Sequence, residues 1–272
     1  MNKTRIPYAD LSWPIVTGCS GVDERGKALS CKEHCWARGI YKRFDRDFNP
    51  TFHPEKLVEP LHRKKPARIL PSFTGDLFDA HITDGQIAAV FGIMAACPQH
   101  VFLVLTKQAE RMQRWFKWVT APATVEPCVP DPLLICADAA LAHIPGPSRE
   151  FVAVNHGSNA RWPLRNVWLG ISATCQKELD DRSYHLELCP AQTRWLSLEP
   201  LLKCIFRVPR WADWVVTAAE SGPKARPCDR AWVRSLRDLC KKAKVPFMHK
   251  DQVGFPPLDG VTHDEYPKAR MI

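Results

Sequence analysis

Short, almost wholly apolar runs alternate along this chain with longer stretches of helical periodicity. RILPSFT (68–74), VFLVLT (101–106), VWLGIS (167–172), RWLSL (194–198), WVVTAA (214–219) and PFMHK (246–250) are too short for ordinary helices. They lack the in–out alternation of a half-exposed strand, as expected where both faces of a parallel sheet are covered. A first strand is predicted around Trp13–Val16. Between the strands, residues 84–96 open on an Asp and set Ile87, Val90, Phe91 and Met94 on one face. Residues 110–119, 175–188 and 230–243 read as further helices. Strand and helix in alternation imply right-handed βαβ units. The predicted fold is therefore α/β, a partial or full parallel (β/α) TIM-like barrel in one domain spanning 1–272.

Residues 120–165 break that rhythm. TAPATVEPCVPDP is Pro-rich, DPLLICADAALAHI has the look of a helix, and PGPSRE is another loop. A βα connection does not need such length, so the segment reads as an insertion, either a lid on the catalytic face or a peripheral decoration.

Barrel enzymes place their chemistry at the carboxyl ends of the strands. Here those ends read Thr74-Gly75-Asp76, Thr106-Lys107, Ser172-Ala173-Thr174, Ser197-Leu198-Glu199, Glu220-Ser221-Gly222 and His249-Lys250-Asp251-Gln252. Small, hydroxylic and charged residues recur at every end, which points to a shared polar site. The loop after the first predicted strand, TGCSGVDERGKALSCKEHCWARGIYKR, would open on that same face. It carries Cys19, Cys31 and Cys35. Three thiolates can ligate three irons of a [4Fe–4S] cluster and leave the fourth iron open. A structural zinc with His34 or His62 as fourth ligand would accept the same spacing, and three unligated thiols are the plain alternative.

Composition narrows the setting. No run of about 18 apolar residues occurs, and the N-terminal stretch MNKTRIPYADLSWP lacks a secretory signal, so a cytoplasmic enzyme with no membrane partner is expected. Eleven cysteines, an odd count, argue against a disulfide framework, and Cys97 and Cys136 sit in apolar surroundings like small buried hydrophobes. Lys and Arg outnumber Asp and Glu 38 to 29, a net charge of +9. The excess concentrates in HRKKPAR (62–68), around Tyr41–Arg46 and in CKKAK (240–244), and favours nucleic acid or a phosphorylated partner.

Several longer stretches also carry a resemblance: VTGC (16–19), Cys31-x3-Cys35-Trp36-Ala37, PTFHPEKLVEPLHRKKPARI (50–69), DLF (76–78), MAACPQHVFLVLTKQAERM (94–112), NVWLGIS (166–172), SLEPLL (197–202), AESGPKARP (219–227) and WVRSLRDLC (232–240). They resemble a phage- and prophage-associated family, the domain-of-unknown-function 5131 family, which is similar to radical S-adenosylmethionine (SAM) enzymes. Radical SAM enzymes usually space their cysteines CxxxCxxC, whereas eleven residues and then three separate them here. Thr74-Gly75-Asp76 stands where a Gly-Gly-Glu would receive the SAM amino group. The resemblance implies a cluster on the three cysteines and S-adenosyl-L-methionine as cofactor, with an external electron donor. Thr74, Gly75 and Asp76 would meet the methionyl end, Ser172 and Thr174 the ribose. Glu199, Glu220 and Lys107 would orient substrate or move protons. The implied substrate is a base in phage DNA or a nucleotide, with Trp36 and the 120–165 segment as stacking candidates. The alternatives are a zinc-stabilised nucleic-acid-binding protein without catalysis, or a hydrolase using Asp76, Glu199 and Glu220.

Overall fold

The structure, a computed structural model, describes residues 1–121, 131–146, 148–149, 152, 161–222, 224–250 and 257–267. The chain divides into two compact units, Met1–Trp168 with Cys189–Gln192, and Leu169–Leu188 with Thr193–Ile272. Each is a mixed α/β assembly on a mostly parallel sheet.

In the first unit the sheet order is β1 (Asn2–Lys3), β2 (Leu11–Trp13), β5 (Arg68–Pro71), β6 (Val101–Thr106). β2 pairs parallel with β5 and β5 with β6, while the edge strand β1 is antiparallel. The strand predicted around Trp13–Val16 is in fact two. β2 ends at Trp13, and after Pro14 the chain enters β3 (Val16–Thr17), which pairs antiparallel with β4 (Thr51–Phe52) in a separate ribbon. Proline supplies no N–H for a ladder, which is why the run breaks there. Helix α1 (Trp36–Arg43) follows the cysteine loop.

Helix α2 (Asp84–Ala96) has the predicted limits, but its N-cap is Thr83. The Thr83 hydroxyl accepts from the Gln86 amide, and the Gln86 side chain accepts from the Thr83 amide, a reciprocal capping box. From Ile87 to Ala96 every residue of α2 is buried, so one apolar face does not describe it. The second cover is α4 (Pro132–Leu141), the helix read inside the 120–165 insertion. The two approach so closely that a Cβ on Gly92 would stand 2.1 Å from the Cys136 carbonyl oxygen. The described helix of the insertion thus completes a second helical layer. The rest of the insertion, at 122–130, 147, 150–151 and 153–160, lies outside the described residues. Behind β6, helix α3 (Ala109–Val119) sends Trp115 into an aromatic cluster with Phe78, Phe91, Phe116 and Trp162, its indole N–H donating to the Asp84 carbonyl.

The second unit runs β7 (Val167–Ser172), α5 (Gln176–Glu187), β8 (Thr193–Leu198), β9 (Trp214–Thr217), α6 (Arg230–Ala243) and β10 (Phe247–His249). Its strands lie in that order, with β8–β9 and β9–β10 parallel. Gly170 in β7 sits against the Trp195 indole of β8, where a Cβ would come within 2.4 Å of the indole nitrogen. Trp195 in turn packs on Trp214, and Trp214 stacks on Tyr266 of the C-terminal segment that lines β10. No helix of the described residues is long and apolar enough to cross a membrane.

Ala normally improves on Gly inside a helix. At position 92 the sign should reverse, because the added methyl meets backbone. Gly92→Ala should cost about 1–3 kcal/mol and lower the midpoint of thermal unfolding by several degrees. Gly85→Ala, in the open first turn of the same helix, should leave it unchanged or raise it. Circular dichroism melts of the two variants beside the parent provide the check.

Candidate functional site

Because β2, β5 and β6 run parallel, the segments that follow them leave the sheet at one edge. The cysteine loop, Ser72–Thr83 and Lys107–Gln108 are therefore neighbours, and close backbone contacts fasten them. Gly18 and Gly75 form a parallel bridge, with the Gly18 amide donating to the Thr74 carbonyl at 3.2 Å. Gly18 adopts φ +74°, and a Cβ there would lie 2.1 Å from the Asn49 carbonyl oxygen. A Cβ on Gly75 would lie 2.7 Å from the Gly18 oxygen. Only hydrogen fits at either place.

Asp76 is fully enclosed. One of its oxygens accepts from the Thr106 hydroxyl (2.6 Å) and the Phe78 amide (3.0 Å), the other from the Lys107 amide (3.0 Å). The carboxylate thus ties the end of β5 to the end of β6. Burial pushes its pKa up, against the pull of those three donors. The predicted Thr74-Gly75-Asp76 binding segment is, in its visible contacts, the fastening of this edge.

Three residues on, a second acid anchors the cysteine loop. Asp79, also buried, accepts at one oxygen from both the amide (2.9 Å) and the hydroxyl (2.8 Å) of Ser20. At the other it holds the amide and the Nδ1 of His81, the latter at 2.9 Å. Burial works to raise the Asp79 pKa, but the Ser20 and His81 donors outweigh it and hold the carboxyl below its ordinary value. Farther along the loop, Gln108 donates to the Val22 carbonyl (2.6 Å), Glu24 pairs with Arg111 and Arg114, and Arg25 pairs with Glu110. Sequence reading missed Ser20, Asp79 and His81. The available signal was the recurrence of acid three residues after Asp76, with a histidine two beyond it.

The three cysteines are part-exposed, in contrast to Cys97, Cys136, Cys189 and Cys240, which are buried as small hydrophobes. Cys19 is pushed up to about 12, first by burial, then by the Asp76 charge, with smaller contributions from Asp79 and from the thiol of Cys31, which is within electrostatic reach. Its sulfur accepts from the Gly21 amide (3.3 Å), and its carbonyl from the Arg38 guanidinium (3.0 Å). Cys35 is the N-cap of α1, its sulfur accepting from the Arg38 amide at 3.5 Å. His34 lies in the same loop, with its amide on the Cys31 carbonyl, and His62 is exposed beyond it. Among the described residues, no three His, Cys, Asp or Glu side chains converge on a point where they would hold a single metal ion.

In the second unit the predicted residues also lie at carboxyl strand ends, each with local partners. Thr174 gives its amide (2.8 Å) and hydroxyl (3.1 Å) to Glu178, which also binds Arg182, and the Ser172 hydroxyl points to the Glu199 carbonyl at 3.5 Å. Glu220 is clamped by Arg226 through the backbone amide and two guanidinium nitrogens. Glu199 pairs with Lys250 at 2.5 Å through one oxygen, while the other is buried without a hydrogen-bond partner.

Comparison with protein families gives one match, to a profile described as a protein of unknown function (DUF5131), over residues 3–267. The chain belongs to the DUF5131 family. No curated protein and no solved structure matches it. The DUF5131 profile takes in both units and the cysteine loop. Its description assigns no activity, so the chemistry of this DUF5131 member is argued from its own residues.

A carboxyl whose folded pKa is depressed stabilises above its unfolded pKa and loses that contribution as pH falls through the folded value. The Asp79 anchor should therefore hold at neutral pH and fail below about pH 4. Asp79→Ala should reproduce that release at pH 7. The loss of the Ser20 bonds, about 1–2 kcal/mol, should speed tryptic cleavage after the exposed Arg25 and Lys27 several-fold. Mass spectrometry of timed digests against the parent would measure it, and unchanged cleavage would show that Asp79 does not anchor the loop.

Proposed function

We propose that this chain is a radical SAM-type enzyme that holds a [4Fe–4S] cluster on Cys19, Cys31 and Cys35 and modifies a base in nucleic acid or a nucleotide. The observation that carries the reading is the fixing of the cysteine loop at the carboxyl edge of β2, β5 and β6, by Asp79 below and α3 beside it. That is where parallel α/β enzymes keep their chemistry. The parallel (β/α) barrel of that enzyme class is the finer fold that belongs with this reading, and the strand–helix alternation within each unit supports it.

The donor set suits a cluster. Three part-exposed thiols share one loop, and the Arg38 amide in the first turn of α1 donates to the Cys35 sulfur, an arrangement that favours negative charge there. Cys19, by contrast, sits beside two carboxylates in a partly buried place that disfavours a bare thiolate and calls for a cationic partner. A cube presents a separate iron to each thiolate and so asks for less convergence than a single zinc ion. The chemistry such a cluster supplies when bound is one-electron cleavage of S-adenosyl-L-methionine to a 5′-deoxyadenosyl radical, with the electron drawn from an external donor.

The chain's own residues bind, orient and shield. Gly18 and Gly75 let two backbones meet, so that the loop lies flat on the strand ends. Asp76 fixes the turn that carries Lys107, which is the candidate cation for orienting a substrate at this edge. In the second unit Lys250 holds one Glu199 oxygen, and the other is buried without a hydrogen-bond partner among the described residues. Glu199 is that unit's best placed carboxylate for orienting a substrate or taking a proton. Glu220, clamped by Arg226, serves to shape the loop after β9.

Anaerobic purification with reconstitution tests the reading. The expected product is brown, with broad sulfur-to-iron absorption in the visible and about four irons per chain. Cys19→Ala, Cys31→Ala and Cys35→Ala should each lose most of that iron, while Cys97→Ala should keep it. A colourless protein carrying about one zinc, or equal iron in Cys31→Ala and the parent, would overturn the assignment.

A further inference from the structure

The basic clusters read from the sequence do not all sit where a substrate would reach the cysteines. HRKKPAR leads into the start of β5, and CKKAK ends α6 ahead of β10, so both flank the amino ends of their strands. The third, around Tyr41–Arg46, continues directly from the cysteine loop through α1.

Of the eight residues of α1 only Ala37 is buried. Trp36, Ile40 and Phe44 recur every fourth position, on one side of the helix and its C-cap. They are 50%, 42% and 64% exposed, far beyond what isolated surface hydrophobes need to be, and Phe73 from the end of β5 joins them at 40%. The Trp36 and Phe73 rings lie 4.8 Å apart at 39°. A Cβ on Gly39 would meet nothing within 4 Å, so the helix surface beside the rings is open. Around this stripe, residues 32–46 hold five Lys and Arg against two Asp and Glu. Arg46 lies 5.9 Å over the Phe44 ring, and Lys42 and Arg43 are exposed in the last turn.

We propose that this face, Trp36, Ile40, Phe44 and Phe73 with Arg43 and Arg46, is a docking surface for single-stranded DNA leading to the cysteine loop. The inference rests on the nucleic-acid reading above and gives it a place. Open ring faces interleaved with cations match a strand that offers bases for stacking and phosphates for pairing. A duplex hides its base faces and so cannot use the rings. α1 is about 12 Å long, the length of roughly three stacked nucleotides. The stripe bears no hydroxyl or amide side chain with which to read a ribose 2′-hydroxyl, so it offers no contact that would select RNA. The same brevity leaves too little apolar area for a stable dimer of the chain.

Fluorescence anisotropy with a labelled deoxyoligonucleotide of about twelve residues, at low salt, gives the test, using the full-length protein. Single strands should bind at least tenfold more tightly than the same sequence as duplex. Trp36→Ala and Phe44→Ala should each weaken binding roughly tenfold, with Phe44→Tyr restoring it. The double variant Arg43→Glu, Arg46→Glu should flatten the slope of log affinity against log salt by roughly 1.4, whereas Lys64→Glu, Lys65→Glu should change little. Phe44 lies away from the cysteines, so its variant keeps the test independent of cluster loading. Iron content, measured on the same samples, keeps the radical SAM reading separate. If the parent binds no nucleic acid, the surface and the nucleic-acid reading both fall while the cluster assignment stands on its iron. Binding that survives the α1 variants but is lost with Lys64 and Lys65 would overturn the surface alone. RNA preferred over DNA would overturn the choice of strand, and a concentration-dependent dimer dissolved by Phe44→Ala would identify the face as a contact between copies.

Discussion

Two carboxylates sealed from water, Asp76 and Asp79, set the terms for everything at the carboxyl edge of the first sheet. A buried carboxylate is tolerable only where donors surround it, and here the donors come from three different connections. Thr106 and Lys107 answer Asp76 from the end of β6, and Ser20 answers Asp79 from the loop after β2. Because both acids sit in one short turn after β5, that turn becomes the hub to which neighbouring strand ends are tied. The glycines at 18 and 75 are the steric counterpart of the same arrangement. They let the backbones come close enough for those bonds to form.

Fastening of this kind has a chemical use. The loop from Gly18 to Cys35 is long and polar, and alone it would cost much conformational entropy to order. Held by Asp79, Gln108, Arg111 and Arg114, it presents its thiols from a defined base while its tip remains exposed. Cys35 hands the chain directly to α1, so whatever happens at the sulfurs lies one residue from the exposed indole of Trp36.

The strands and helices were legible because burial on both sides leaves a plain mark. VFLVLT and VWLGIS coincide with β6 and β7, and the limits of α2 and α6 were read correctly. What composition hid was pairing. Nothing in a run from Trp13 to Val16 says that Pro14 passes it from one sheet to another, and nothing in the periodicity of α2 foretells that a helix fifty residues on covers its other side. The strand-end residues were placed correctly, but their partners were not foreseen. Thr174 with Glu178, and Glu220 with Arg226, are bonds over four and six positions, which spend donors and acceptors that the isolated residues seemed to offer a ligand. Glu199 is the exception, since one of its oxygens stays unclaimed.

The contact of Gly170 with the Trp195 indole also governs how the strands of the second unit can be assembled. Strands that are apolar on both faces carry little information about alignment, since sliding one along its neighbour by two residues exchanges one hydrophobe for another. The indole removes that ambiguity. If β7 slipped by two residues either way, the side chain of Trp168 or Ser172 would fall where the native pairing has only a hydrogen. A large ring facing a vacant position thus acts as a key in a slot, and a side chain at 170 could be accepted only with a smaller residue at 195.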